Sequence, residues 1–163
     1  KMKINWYPDE IKTSLLDVDL DQLKKEEIKV IICDVDNTLC THDALVISDE
    51  KKAWIRKAQD LGMKVILISN NHGGRIQKIA DDLGCQAYGF SLKPLPHTYM
   101  KILKKNHLKR EQVICIGDQL FTDIWGAKGM KLRNIYVRPI SEADIFYTRL
   151  SRKIENRILK ERL

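Results

Sequence analysis

Short apolar runs rich in β-branched residues recur along the chain at Ile28–Cys33, Lys64–Ile68, Gln86–Tyr88, Val113–Ile116 and Asn134–Val137. Continuous apolarity of this length marks strands buried on both faces. Between these runs the apolar spacing becomes helical. Ser48-Asp49-Glu50-Lys51 is a helix entry, Ala53, Trp54, Ala58 and Leu61 follow at helical spacing, and Gly62 is a stop. A second helix is predicted from about Gly74 to Leu83, ended by Gly84. A third begins near Pro96 and carries Tyr99, Met100, Leu103 and Lys104; a short fourth follows Thr122. Strands alternating with helices predict βαβ units, hence an α/β fold with a doubly wound, mainly parallel, five-stranded Rossmann-like sheet. The stretch before Glu27 is polar with scattered apolar residues. Residues 1–27 therefore read as an N-terminal extension, with Pro8-Asp9-Glu10 as a helix entry. No linker or repeat interrupts the pattern, which predicts one domain over residues 1–163.

The C-terminal part, residues 141–163, reads as a basic helix. Phe146, Leu150, Ile154 and Ile158 recur every four residues, surrounded by Arg149, Arg152, Lys153, Arg157, Lys160 and Arg162. Such a helix can lie on an anionic membrane or pack its stripe on the domain. The second is expected, because most amphipathic helices of soluble domains face their own core.

The net charge of +7 favours anionic partners: phosphorylated substrates, nucleic acid or an anionic membrane surface. Hydrophobic residues at 44% and charged residues at 31% fit a soluble globular chain, and no stretch suits a transmembrane helix or a signal peptide. Cys33, Cys40, Cys85 and Cys115 form no CxxC pair, so a zinc site is not expected and four reduced thiols in a cytoplasmic protein are.

Polar residues cluster just after the strand-like runs: Asp34 and Asp36, then Ser69 and Asn70, then Asp118. The carboxyl ends of parallel strands are where open α/β sheets bind ligands. Burying Asp34 and Asp36 is costly unless a cation compensates them, and beside a divalent cation an Asp can attack phosphorus. In that case Asp34 is the nucleophile and Asp36 the acid and base. The plain alternative is an Asx turn capped by Asp36 and Asn37. Asp118, after Gly117, can complete a magnesium shell with Asp34. The freedom of Gly117 would let the chain turn there. Asp123 can orient a metal-bound water or be an ordinary helix-start carboxylate. Ser69 is either part of a phosphate cradle or an N-cap. Lys93, kept out of a helix by Pro94, is either a charge for a phosphoryl group or a solvated surface lysine.

In this order, Asp34-Val35-Asp36-Asn37-Thr38-Leu39, Ser69, Lys93 and Gly117-Asp118-Gln119 with Thr122-Asp123 resemble the haloacid dehalogenase (HAD) superfamily of phosphohydrolases. The resemblance implies a HAD-like sheet and a Mg²⁺-dependent phosphomonoester hydrolase working through an aspartyl-phosphate. It gives Asp34 the role of nucleophile and Asp36 that of acid and base. Ser69, Asn70 and Lys93 hold the phosphoryl group. Asp34, the Asp36 backbone carbonyl and Asp118 ligate Mg²⁺, with Thr38 and Asp123 supporting. Trp6-Tyr7-Pro8, Ser69-Asn70-Asn71, Lys93-Pro94 and Thr148-Arg149-Leu150 further resemble the subclass IIIA, YqeG-type members, which are similar to phosphatidylglycerophosphate phosphatases.

The resemblance implies a phosphorylated substrate, with a lipid head group at the inner face of a membrane as the specific candidate. Thr41–Ile47 leaves room only for a small flap hairpin at 40–47, not a large cap. An uncapped site admits a phosphate on a large body, so protein or nucleic-acid phosphates remain a second class of substrate. A non-catalytic RNA- or ribosome-binding protein on the same scaffold is the alternative that the basic charge supports.

Overall fold

The computed structural model describes residues 5–71, 73–141 and 146–160, with the side chains of 146–150 outside that description. Its centre is a six-stranded, all-parallel sheet. The strands are β1 (Glu10–Lys12), β2 (Val30–Asp34), β3 (Lys64–Ile68), β4 (Gln86–Tyr88), β5 (Val113–Gly117) and β6 (Arg133–Val137), in the order β1-β6-β5-β2-β3-β4. The helices are α1 (Leu20–Lys25), α2 (Asp49–Asp60), α3 (Gly73–Leu83), α4 (His97–Lys105), α5 (Trp125–Gly129) and α6 (Phe146–Lys160).

Every residue of β2 and β5 is buried, which is why both read as continuous apolar runs. Their side chains still alternate between two cores. Ile31, Cys33, Val65, Leu67, Ile114 and Ile116 join the core that includes Leu23 of α1, Ile55 of α2 and Ile76 of α3. Val30, Ile32, Ile66, Ile68, Val113 and Cys115 pack on the other face with Tyr99 and Ile102 of α4 and Ala127 of α5. The central strands β2 and β5 run in register, Val30 opposite Val113 and Cys33 opposite Ile116, so their exits come out side by side.

Three expectations change here. The sheet has six strands, not five: Glu10–Lys12 pairs in parallel with β6, Ile11 opposite Tyr136. Pro8-Asp9-Glu10 therefore leads into an edge strand rather than a helix. Asp9 sets the register: its carboxylate accepts from the Asn134 backbone (3.1 Å) and side chain (3.0 Å), and its own N–H donates to Asn134 Oδ1 (3.0 Å). Residues 41–47 form turns with no strand of their own, so the expected flap is a loop rather than a hairpin. Among the described residues no helix is long and apolar enough to cross a membrane.

Helix α6 packs on the domain, and of the two stripe residues whose side chains are described Ile158 faces it and Ile154 does not. Leu159 is buried and Ile158 half-buried against Leu120, Ile124 and Tyr136, whereas Ile154 is exposed. Glu155 is buried on the same inward face. The side chains of Phe146, Arg149 and Leu150, and Arg162, lie outside the described residues. Near the N-terminus, Trp6 stacks obliquely on Trp125 (4.5 Å between ring centroids), and Phe121 meets Trp125 edge-on (4.5 Å).

Candidate active site

Strand β2 ends on Asp34, and the chain then wraps round the Val35 carbonyl. That oxygen accepts from Thr38 (3.3 Å), Leu39 (3.0 Å) and Cys40 (3.2 Å), while the Asn37 N–H donates to the Cys40 carbonyl (2.7 Å). Asn37 sits at φ 60°, a left-handed position that Asn tolerates. The turn brings Thr38 back over the strand end. Its hydroxyl lies 3.2 Å from Asp34 Oδ2 and 3.1 Å from Asp118 Oδ1 and can donate to either.

Asp118 follows the end of β5, and Asp123 returns on the π-helical turn Leu120–Ile124. Asp34, Asp118 and Asp123, all buried, each offer one oxygen within 4.8 Å of the others. Gly117 allows this by having no side chain: a Cβ there would collide with the Asp123 carboxylate. Space beside Asp123, rather than freedom to turn, is what the position requires.

Lys93 reaches the same place from the loop after β4. Its ammonium donates to Asp34 Oδ1 (2.6 Å) and Asp123 Oδ1 (2.5 Å) and is buried. Asn70 holds that loop. Its Oδ1 accepts from the Lys93 N–H (2.8 Å) and the Ser91 hydroxyl (2.8 Å), and its Nδ2 donates to the Lys93 carbonyl (3.1 Å). Asn70 thus grips the Lys93 backbone rather than turning its amide towards a phosphoryl group.

Burial, and then the Asp123 charge, push the Asp34 carboxyl well above the usual carboxylate range, with Lys93 opposing. Burial and Asp123 likewise raise Asp118, against the pull of Arg152. Burial works against the Lys93 ammonium, but Asp123 and Asp34 outweigh it and hold Lys93 well above the usual lysine range. Three carboxylates thus face two cations, Lys93 and Arg152. Clustered, buried oxygen donors with surplus negative charge suit a hard divalent cation.

Asp36 has different surroundings. Its Oδ1 accepts from Arg75 (2.7 Å), and its Oδ2 from Asn71 Nδ2 (2.7 Å) and the Ser69 hydroxyl (3.0 Å). The Asp36 carboxylate therefore does not join the three-acid cluster. Ser69 also accepts from the Asn71 N–H (3.0 Å), so it closes the turn after β3 and is a partner of Asp36; α3 begins only at Gly73, beyond its reach as an N-cap. Arg75 goes on to the carbonyls of Thr41 and Ala44 (2.6 Å each), tying the flap loop to Asp36. His42 is exposed on the loop after β2 and His97 is exposed at the start of α4, and His72 lies outside the described residues.

Sequence reasoning missed Arg75, Arg152 and Glu155. The Arg152 guanidinium donates to both Asp118 Oδ2 and the Asp118 backbone carbonyl, and to Glu155 (3.2 Å). Glu155 in turn accepts from the Leu120 N–H (3.1 Å). The basic character of residues 149–162 hid Arg152 among solvated charges. A glutamate on that segment's inner face was the available signal.

The sequence model of the family described as mitochondrial PGP phosphatase matches residues 9–140. The chain is 32% identical over 158 residues to the Bacillus subtilis protein named Probable phosphatase YqeG, covering 97% of this chain and 92% of that one. Among solved structures, the fold is similar to that of an uncharacterized protein from Listeria monocytogenes serotype 4b (TM-score 0.59, 17% identity, 72% of this chain and 84% of that one). It is also similar to the cobalt-bound form of the deoxy-D-mannose-octulosonate 8-phosphate phosphatase from Haemophilus influenzae (TM-score 0.51, 24% identity, 59% and 61%).

Proposed function

The chain belongs to the mitochondrial PGP phosphatase family and is a relative of the YqeG-type phosphatases, and on that premise we propose that it hydrolyses phosphomonoesters, as its resemblance to the HAD superfamily implies, by attack of Asp34 on phosphorus. The observation that carries this is the buried convergence of Asp34, Asp118 and Asp123, with Lys93 paired to Asp34 and Asp123. Asp34 and Asp118, with the Asp36 backbone carbonyl, would hold Mg²⁺, and Asp123 would complete the acidic wall. When bound, the cation would neutralise charge on the transferring phosphoryl group and align it with the nucleophile.

The remaining steps belong to the chain's own groups. An Asp34 carboxylate oxygen forms a bond to phosphorus as the ester oxygen leaves, giving an aspartyl-phosphate. Asp36 gives its proton to the departing oxygen, then takes one from the water that attacks phosphorus as the bond to the Asp34 oxygen breaks, which releases phosphate and frees the Asp34 carboxylate. Its contact with Arg75 parks it beside the site and must loosen for either transfer. Lys93 balances the phosphoryl charge, Asn70 fixes Lys93, and Ser69 orients Asp36. Thr38 orients the carboxylates of Asp34 and Asp118.

For the substrate we propose a phosphorylated lipid head group, phosphatidylglycerophosphate first. The family's own description supports it. So does the rim: Phe90, Leu92 and Leu95 are about half exposed on the loop that carries Lys93, while its polar Ser91 and Lys93 are buried. Apolar residues turned outward beside a polar site fit acyl chains.

The test is phosphate release in Mg²⁺ from four substrates: phosphatidylglycerophosphate in vesicles, a phosphopeptide, an oligonucleotide 5′ phosphate and p-nitrophenyl phosphate. Asp34→Asn serves as the control. The lipid should be turned over fastest. Faster hydrolysis of the peptide or oligonucleotide would overturn the lipid assignment, and activity of a clean Asp34→Asn preparation would overturn the nucleophile.

A further inference from the structure

Helix α6 reaches the acidic cluster from beyond residues 9–140, the part of the chain that the family model matches. It does so through a polar contact with unusual depth. Glu155 is 1% exposed, and both its oxygens are engaged: Oε1 accepts from the Leu120 N–H (3.1 Å) and Oε2 from Arg152 (3.2 Å). Leu120 opens the turn that carries Asp123. Arg152 then contacts Asp118 twice, at Oδ2 and at the backbone carbonyl. Asp118 Oδ1 stays with the Thr38 hydroxyl (3.1 Å), which also touches Asp34. One carboxylate is thus held from both sides, with its two oxygens given separate duties.

We propose that Arg152, braced by Glu155, is a positioning residue of the cation centre: it pins Asp118 by Oδ2 and its backbone so that Oδ1 is presented towards Asp34 and Asp123. This rests on the cation reading above. Mg²⁺ demands near-ideal octahedral geometry at short distances, so an acidic ligand free to rotate is a poor one. Partners that orient a ligand typically change cation affinity or activity by about 10–100-fold when removed. Charge alone would act the other way: taking a guanidinium away from three carboxylates makes their pocket more negative and should tighten a divalent cation. The sign of the change therefore separates orientation from simple neutralisation. Lysine keeps the charge but cannot span Oδ2 and the carbonyl with a planar fork.

Titration calorimetry with MgCl₂ and MnCl₂ on the full chain, beside Arg152→Lys, Arg152→Gln and Glu155→Gln, tests this. The Mg²⁺ concentration for half-maximal hydrolysis of p-nitrophenyl phosphate and the circular-dichroism melting midpoint are followed in parallel. Both Arg152 variants should bind cation about 10–100-fold more weakly. The Mg²⁺ needed for half-maximal rate should rise by the same factor, and Glu155→Gln should shift in the same direction by less. Tighter binding by Arg152→Gln with Arg152→Lys unchanged would reduce Arg152 to a neutralising charge and overturn the proposal. Unchanged affinity in both, with a lowered melting midpoint, would make the contact a structural strut and also overturn it. If the wild-type chain binds no divalent cation, the cation reading itself falls and this assignment with it. Wild-type binding with unaltered variants sinks the positioning role alone.

Discussion

Asp34 and Asp36 are two residues apart, yet they sit in opposite electrostatic surroundings. Asp34 shares a buried floor with two more carboxylates and a lysine, and its carboxyl is pushed up by burial and by Asp123. Asp36 lies at the rim, its side chain 17% exposed, ringed by Arg75, Asn71 and Ser69. The floor has more negative charge than its neighbours balance; the rim supplies donors to a single carboxylate. One strand end can thus present a group suited to a cation and a nucleophilic role, and a second suited to carrying a proton. The turn round Val35, which sends the two side chains apart, creates the difference.

The sharpest test of that contrast is exchange of each acid for its amide. Asp34→Asn should bring phosphate release down to the buffer background. Asp36→Asn should slow turnover by about 10²–10⁴ while leaving cation binding in place. Equal losses of cation binding in the two variants would erase the distinction between floor and rim. Next comes the cation within the floor. Lys93→Met leaves buried Asp34 and Asp123 without their partner, and a broken buried pair costs about 3–5 kcal/mol. Urea denaturation should show that loss in chelator, with part recovered in excess Mg²⁺ because the folded state alone binds it.

A pH series separates the regions further. Asp34, Asp118 and Glu155 all hold protons more firmly folded than unfolded, Glu155 with its carboxyl pushed up to about 7 by burial against the pull of Arg152. From the ordinary carboxylate range up to those raised values the folded state binds more protons, so stability falls as pH rises. Denaturation midpoints in chelator should decline through that window. Glu155→Gln should flatten its share between about 4.5 and about 7, and Mg²⁺ should flatten the share of Asp34 and Asp118. The smallest effect belongs to the rim. Arg75→Ala should cost about 1 kcal/mol of stability, since its pair with Asp36 is partly hydrated.

The sheet interior was legible because buried parallel strands must be apolar throughout; β2, β3, β5 and β6 announce themselves that way. Strand β1 was not. Glu10-Ile11-Lys12 has no apolar run, and it becomes a strand only because Asp9 docks on Asn134 and β6 offers an edge. The acids of the site were readable as strand-exit residues in a familiar order. Their partners were not: Arg75 meets Asp36 across 39 positions and Arg152 meets Asp118 across 34. Nothing local to either arginine marks it. The polar part of the inward face of α6 was hidden for a related reason: it carries Arg152 and Glu155 beside Leu159, and an apolar stripe cannot report a polar contact.

The aromatic group of Trp6, Phe121 and Trp125 straddles the turn that carries Asp123. The third tryptophan, Trp54, is buried on α2 with its indole N–H on the Val18 carbonyl (3.2 Å). The molecule therefore comes with its own optical gauge. A shift of the Asp123 turn would alter the stacking of Trp6 on Trp125 and hence the emission, against the steady background of Trp54, so occupancy of the acidic floor can be followed by light without an added label.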